Sequence, residues 1–148
     1  KFAYVLCEMD NVIEVYEVGA RNDDVDPFKM IQRISTIEPD EKQRAAASGI
    51  EFSPDGNHLF VTNAGINTVI IYDVDKETGV LTPLFHCKTS GDYPKAVAVM
   101  PDNKHFIVLS HETDEIFIYN MNYEDCYFLQ DSRPIKIEQP NCIFIHKL

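Results

Sequence analysis

The 148-residue chain has no tryptophan, four cysteines, six glycines and 13 Lys and Arg against 24 Asp and Glu. Each scarcity excludes something. A formal net charge of -11 with no cluster of Lys and Arg argues against nucleic acid as a partner, because holding a phosphate backbone takes a basic stripe. No apolar run approaches the ~18 residues that a membrane-crossing helix needs, so no membrane partner is expected. Lys1-Phe2-Ala3-Tyr4-Val5 reads directly as strand, so no signal peptide is expected. Cys7, Cys87, Cys126 and Cys142 form no C-x-x-C pair and match no zinc spacing. No metal or other cofactor is expected. Cys7 and Cys142 stand in apolar runs, where a free thiol behaves as a small hydrophobe, and unpaired thiols fit a reducing cytoplasm. Neither a serine-nucleophile motif nor a phosphate loop is present. Without Trp there can be no Trp-Asp blade signature.

What the chain does have is a repeat. Pro54 and Pro101 stand 47 residues apart, and the same offset relates His58 to His105, Phe60 to Ile107, Ile71 to Ile118 and Tyr72 to Tyr119. An earlier, partial copy aligns Ala3-Tyr4-Val5 with Leu59-Phe60-Val61 and Val15-Tyr16 with Ile71-Tyr72, at an offset of 56. The additional nine residues fall in the polar stretch between Glu38 and Ala47, a surface insertion of the kind repeat folds tolerate. Pro140-Asn141-Cys142-Ile143 echoes Pro94-Lys95-Ala96-Val97 and begins another copy. Within the middle copy, strands are expected over 49–53, 58–63, 68–74 and 81–88. Tight turns at Ser53-Pro54-Asp55-Gly56 and at 75–79 separate them, Pro presetting φ and Gly supplying a positive φ. Val69, Ile71 and Tyr72 lie in a nearly continuous apolar run, as in a strand covered on both faces. Four short strands per repeat of this length predict an all-β chain, a β-propeller of about three four-stranded blades. The expected division of this single partial domain is 1–48, 49–92 and 93–140, with a closing inner strand over 141–148.

The middle repeat resembles the lactonase family of seven-bladed propellers, which includes bacterial 6-phosphogluconolactonases of the propeller type and fungal carboxymuconate lactonizing enzymes. The resemblance rests on Ile50-Glu51-Phe52-Ser53-Pro54-Asp55-Gly56, on Leu59-Phe60-Val61-Thr62-Asn63 and on the run from Val69 to Leu81 with its Asp75-x-x-Thr78-Gly79-x-Leu81 ending. Gly91-Asp92-Tyr93-Pro94-Lys95 is similar to the family's Gly-x-x-Pro-Arg blade opening, and 140–143 to its C-terminal strand. This implies a seven-bladed whole, with the remaining blades N-terminal to Lys1. It implies a small-molecule lactone or sugar-derived ligand, and a metal-independent carboxylic ester hydrolase.

The repeat itself shows which residues share a place. After the second strand of successive blades come Glu8, Ala64 and His111; at the start of the inner strand come Ser48-Gly49, Lys95-Ala96 and Asn141-Cys142. Lactone opening needs a proton donor or base near the ring oxygen and positive charge for the developing oxyanion. Glu8 matches a family Glu, so Glu8 and His111 are the expected catalytic pair. Lys95, in place of a frequent Arg, is expected to bind substrate, together with Asn63 and Asn11. Ala64 stands where the family has Arg, and Gly49 where it often has an acid. A second reading therefore stays open: a non-catalytic binding or interaction propeller that has lost these groups. A third, a secreted surface repeat protein, is disfavoured by the unpaired cysteines. In a fragment of three blades the outer two keep an open face, so the expected partner is the remaining blades or a second copy of the chain.

Overall fold

A computed structural model describes residues 1–19, 27–41 and 44–146. Among them there is no helix, and the strands form three antiparallel sheets. The first sheet pairs β1 (Phe2–Cys7), β2 (Val12–Val18) and β3 (Phe28–Ser35) in that order. The middle sheet follows with β4 (Ala46–Phe52), β5 (His58–Ala64), β6 (Thr68–Val74) and β7 (Leu81–Lys88). The third holds β8 (Pro94–Val99), β9 (His105–Ser110), β10 (Glu115–Asn122), β11 (Tyr127–Gln130) and β12 (Ile135–Lys136). Both β11 and β12 lie along one edge of β10, β11 against residues 119–122 and β12 against Glu115 and Ile116. These are three propeller blades, the first lacking its innermost strand.

The middle sheet shows why its sequence is apolar without a break. Leu59, Val61, Ile70 and Tyr72 pack toward Ile13 and Val15 of the first sheet. Their neighbours Phe60, Val69 and Ile71 pack toward Val97, Phe106, Val108 and Tyr119 of the third. Successive side chains of a strand point to opposite faces, so a sheet sandwiched between two others needs hydrophobes at both parities. The Phe60 and Phe106 rings, 5.3 Å apart, mark one seam. The Tyr4 and Phe52 rings, 5.1 Å apart, mark the other. At the rim the Gln32 amide bonds both backbone groups of Leu81, each at 2.8 Å.

Two expectations need correcting. The strand expected over 141–148 carries no ladder among residues 141–146; 147–148 lie outside the described residues. A strand exists only through ladder bonds to a neighbour, and Ile143, Phe144 and Ile145 make none, although they line a hollow with Phe52 of β4 and Val99 of β8. Cys142, read as part of an apolar strand, is accordingly exposed.

Candidate functional site

The site begins with two bulges. β4 pairs with β5 through Ala47↔Asn63 and then Gly49↔Thr62, which leaves Ser48 unopposed. β8 repeats the irregularity against β9, with Pro94↔Ser110 and then Ala96↔Leu109, leaving Lys95 unopposed. A bulge re-aims the side chain it carries. Ser48 Oγ donates to the Pro94 carbonyl at 2.5 Å and so joins the starts of the two inner strands. Gly49 lets them touch: a Cβ there would stand 3.0 Å from Ala96 Cα. Lys95 Nζ sits 5.0 Å from the centre of the Tyr93 ring, a cation–π contact.

Glu8, Ala64 and His111 lie at this same end of the sheets. Glu8 is exposed in the turn after β1, and its carbonyl accepts the Ala47 N–H at 3.3 Å, beside the start of β4. Ala64 ends β5 and is 1% exposed. His111 follows β9; its N–H donates to the Tyr93 carbonyl at 3.0 Å, and its Nδ1 lies 3.3 Å from the Pro140 carbonyl. Lys95 and His111 thus share one strand pair, while Glu8 stands across the middle sheet from them.

Asn11 and Asn63 do different work. Asn11 has φ of 53°, and its Oδ1 accepts the Ala47 N–H at 2.9 Å while Nδ2 donates to the Ala45 carbonyl at 3.1 Å. Its own carbonyl accepts the Thr36 N–H at 2.9 Å. The arrangement recurs at Asn67 (φ 56°), which receives Tyr93 N–H on Oδ1 and Thr89 N–H on its carbonyl. It recurs again at Asp114 (φ 56°), which receives Gln139 N–H on Oδ1 and Ile137 N–H on its carbonyl. The first two are clasps in which one turn holds the start of the next blade, and the third holds the segment after β12 in the same way; Asn and Asp are the side chains that tolerate this left-handed backbone. Asn63 is fully buried and its Nδ2 donates to the Thr36 carbonyl at 2.8 Å and to Thr68 Oγ1 at 3.2 Å. Both polar atoms of Asn11 thus face backbone, and Asn63 Nδ2 faces backbone and a neighbouring hydroxyl, while Asn63 Oδ1 is buried with no hydrogen-bond partner among the described residues.

Tyr93 is a site residue that the sequence reading passed over. Its φ of 58° is rare for an aromatic residue, and backbone strain of this kind collects at functional sites. The signal was present in the Gly91-Asp92-Tyr93-Pro94 blade opening. His86, for which the sequence offered no partner, lies 3.8 Å from a Glu41 carboxylate oxygen and 3.9 Å from one of Glu38. Among the described residues no group of three or more His, Cys, Asp or Glu is arranged to hold a metal ion.

The family described as "Lactonase, 7-bladed beta-propeller" matches residues 1–145. The chain belongs to that family. It is 24% identical to a 6-phosphogluconolactonase of Bacillus subtilis, covering 100% of this chain and 42% of that protein. It is 29% identical to a 6-phosphogluconolactonase of Formosa agariphila, covering 84% of this chain and 34% of that one. Among solved structures, a periplasmic gluconolactonase from Pseudomonas aeruginosa superposes with a TM-score of 0.81 at 20% identity, over 95% of this chain and 38% of that one. The chain therefore spans about two fifths of the lactonase-family proteins it resembles. No helix among the described residues is long and apolar enough to cross a membrane.

Proposed function

We propose that the protein hydrolyses a sugar lactone, with Glu8, His111 and Lys95 as the groups this chain brings to the reaction. The observation that carries the reading is the bulged Lys95 beside His111, at the blade end where Glu8 also stands, in a lactonase-family chain. A lactone carbonyl attacked by water develops an oxyanion, which a fixed cation stabilises. Lys95, steadied over Tyr93, supplies that charge. Glu8 takes a proton from the attacking water, and His111 gives one to the ring oxygen as the acyl C–O bond breaks. The product is the open hydroxy acid. Phosphorylated and plain sugar lactones both satisfy this chemistry, and the names of the relatives favour the gluconolactones. The four free thiols, three of them partly covered, favour a reducing cytoplasm as the place of action.

The test is acid release from 6-phosphogluconolactone and gluconolactone by the intact protein. Glu8→Gln should lower kcat/KM at least ~10-fold, and up to the ~10²–10⁴-fold typical of a lost general base, with the thermal midpoint unchanged. A fully active Glu8→Gln protein removes Glu8 from the mechanism. One observation favours the second reading, a binding propeller without catalysis. The middle blade offers only Ala64, 1% exposed, where its neighbours offer Glu8 and His111. Absence of lactone turnover in the intact protein selects that reading.

A further inference from the structure

The insertion between β3 and β4 has no counterpart in the other repeats, and the structure places its last residues, from Arg44 on. Its end runs beside the two turns that flank the candidate site. Ala45 and Ala47 are held by Asn11, and Ala47 also by the carbonyl of Glu8. Just ahead of them, the Arg44 backbone presses on the turn that follows Ala64. A Cβ at Gly65 would lie 2.0 Å from the Arg44 carbonyl oxygen, and Gly65 has φ of +79°. Only glycine admits this approach. Arg44 is thus anchored at the one blade end whose own side chain is an alanine.

There it lines a hollow of about 440 Å³ with Lys88, Asp40, Glu41 and Asn67. Among the described residues neither Arg44 nor Lys88 has a hydrogen-bonding or ion-pairing partner for its charged head, in a chain of net charge -11 with 13 Lys and Arg in total. With no carboxylate partner among those residues, the Arg44 and Lys88 heads are each free to engage an anionic group through charge-assisted hydrogen bonds. Asp40 and Glu41 also line the hollow; their carboxylates accept hydrogen bonds and repel a bare anion, and Glu41 Oε2 already accepts the Glu38 N–H at 3.0 Å. A ligand that suits both has one anionic end and several hydroxyl donors. The hollow also adjoins the catalytic end. Asn67 Oδ1 accepts the N–H of Tyr93, over whose ring Lys95 is held.

We infer that this hollow is a binding subsite for a polyhydroxylated acid anion, held by Arg44 from the insertion and Lys88 from the end of β7. The anion is a carboxylate or a phosphate carried on a sugar-like chain. The link to turnover rests on the lactonase reading; the anion preference does not. Arg44 and Lys88 are both exposed, so replacing them leaves the core untouched.

Calorimetric titration of the intact protein tests this with four probes: gluconate, 6-phosphogluconate, the neutral polyol glucitol and inorganic phosphate. Gluconate or 6-phosphogluconate should bind at least ~10-fold more tightly than glucitol or inorganic phosphate. The two acids identify which anion is preferred. In Arg44→Ala/Lys88→Ala that advantage should disappear while the thermal midpoint stays within a degree or two. Arg44→Lys, keeping the charge, should restore part of it. Equal binding of gluconate, 6-phosphogluconate and glucitol, inorganic phosphate binding as tightly as the acids, or undiminished acid binding in the double variant overturns the inference. Absence of lactone turnover with Arg44-dependent acid binding intact overturns the proposed reaction and leaves this subsite standing. Turnover with acid binding indifferent to Arg44 and Lys88 does the reverse.

Discussion

The middle blade and the two beside it are built from the same repeat and meet different fates. In the middle sheet, β5 is buried from Leu59 onward and β6 from Thr68 to Tyr72. In the first sheet, β1 has no buried residue, and Val5 is 46% exposed. In the third, β11 presents Leu129 at 63% exposure, and Phe144 beyond it reaches 85%. Repeat position decides which residue is apolar, but burial is decided by whether a sheet stands on each side. Hydrophobicity in a propeller strand is therefore a statement about the neighbours of a blade as much as about the blade itself.

That comparison can be broken by mutation. Phe60→Ala, in a fully buried position between two sheets, should destabilise the protein by about 3–5 kcal/mol in urea unfolding. Leu129→Ala should change stability by less than about 1 kcal/mol in the 148-residue chain. A Leu129→Ala loss approaching that of Phe60→Ala would show that the outer face is covered, by further blades or a second copy. Concentration-dependent sedimentation distinguishes the two.

The clasps sharpen the comparison, because they do not distinguish inner from outer blades. Asn11→Ala and Asn67→Ala should each cost about 1 kcal/mol, the usual net worth of a hydrogen bond, because the Ala47 N–H keeps the Glu8 carbonyl and the Tyr93 N–H is only partly buried. Similar losses at the two seams, read from the same unfolding curves, mean that the seams are equivalent. A much smaller loss at Asn11 means that the first blade is held mainly by its apolar face.

The smallest effect belongs to an exposed turn of the third blade. A hydrogen bond from His105, 2.7 Å away, and bonds from the Lys104 and His105 N–H groups pull the Asp102 carboxyl down to about 2. A carboxyl held lower in the folded than in the unfolded chain adds stability above its ordinary value near 4. That stability is lost as pH falls from about 4 through about 2. Half-exposed in water, the pair is strongly screened. Wild type should exceed Asp102→Asn modestly at pH 5, and the gap should close by pH 2. A gap that does not change with pH assigns the turn's stability to its uncharged hydrogen bonds.

Much of this was legible in the chain because a repeat reports itself. The 47-residue register placed Thr68–Val74 and Leu81–Lys88 with the bounds observed, and it put Glu8, Ala64 and His111 at one end of the sheets. Where pairing depends on something distant, the sequence was silent. β4 starts at Ala46, three residues ahead of the expected strand, because Ala47 bonds to a turn 36 residues earlier. β12 has only two residues and no apolar pattern of its own; it exists because β10 has edge to spare below β11. Segment 141–146 has a strand's composition but no ladder, although it runs beside the ends of β4 and β8. Asn11 and Asn63 looked like binding residues in the sequence, which held no sign that the Nδ2 of each bonds a backbone carbonyl, because a polar side chain at a strand end reads the same in either setting. Arg44 drew no attention since an insertion has no sister position to compare with.

The clasps have a consequence for ancestry. In the two that join blades, the acceptor is a side chain of one blade, while the donor is a backbone N–H of the next: Ala47 and Tyr93 share no chemistry beyond the peptide group. The junction is therefore specified from one side. A duplicated or exchanged blade could dock with no matching change in its predecessor so long as the donor strand keeps its path. Such one-sided coupling lets a gene lengthen by copying, and leaves the loops above the seams, including the insertion that carries Arg44, free to diverge.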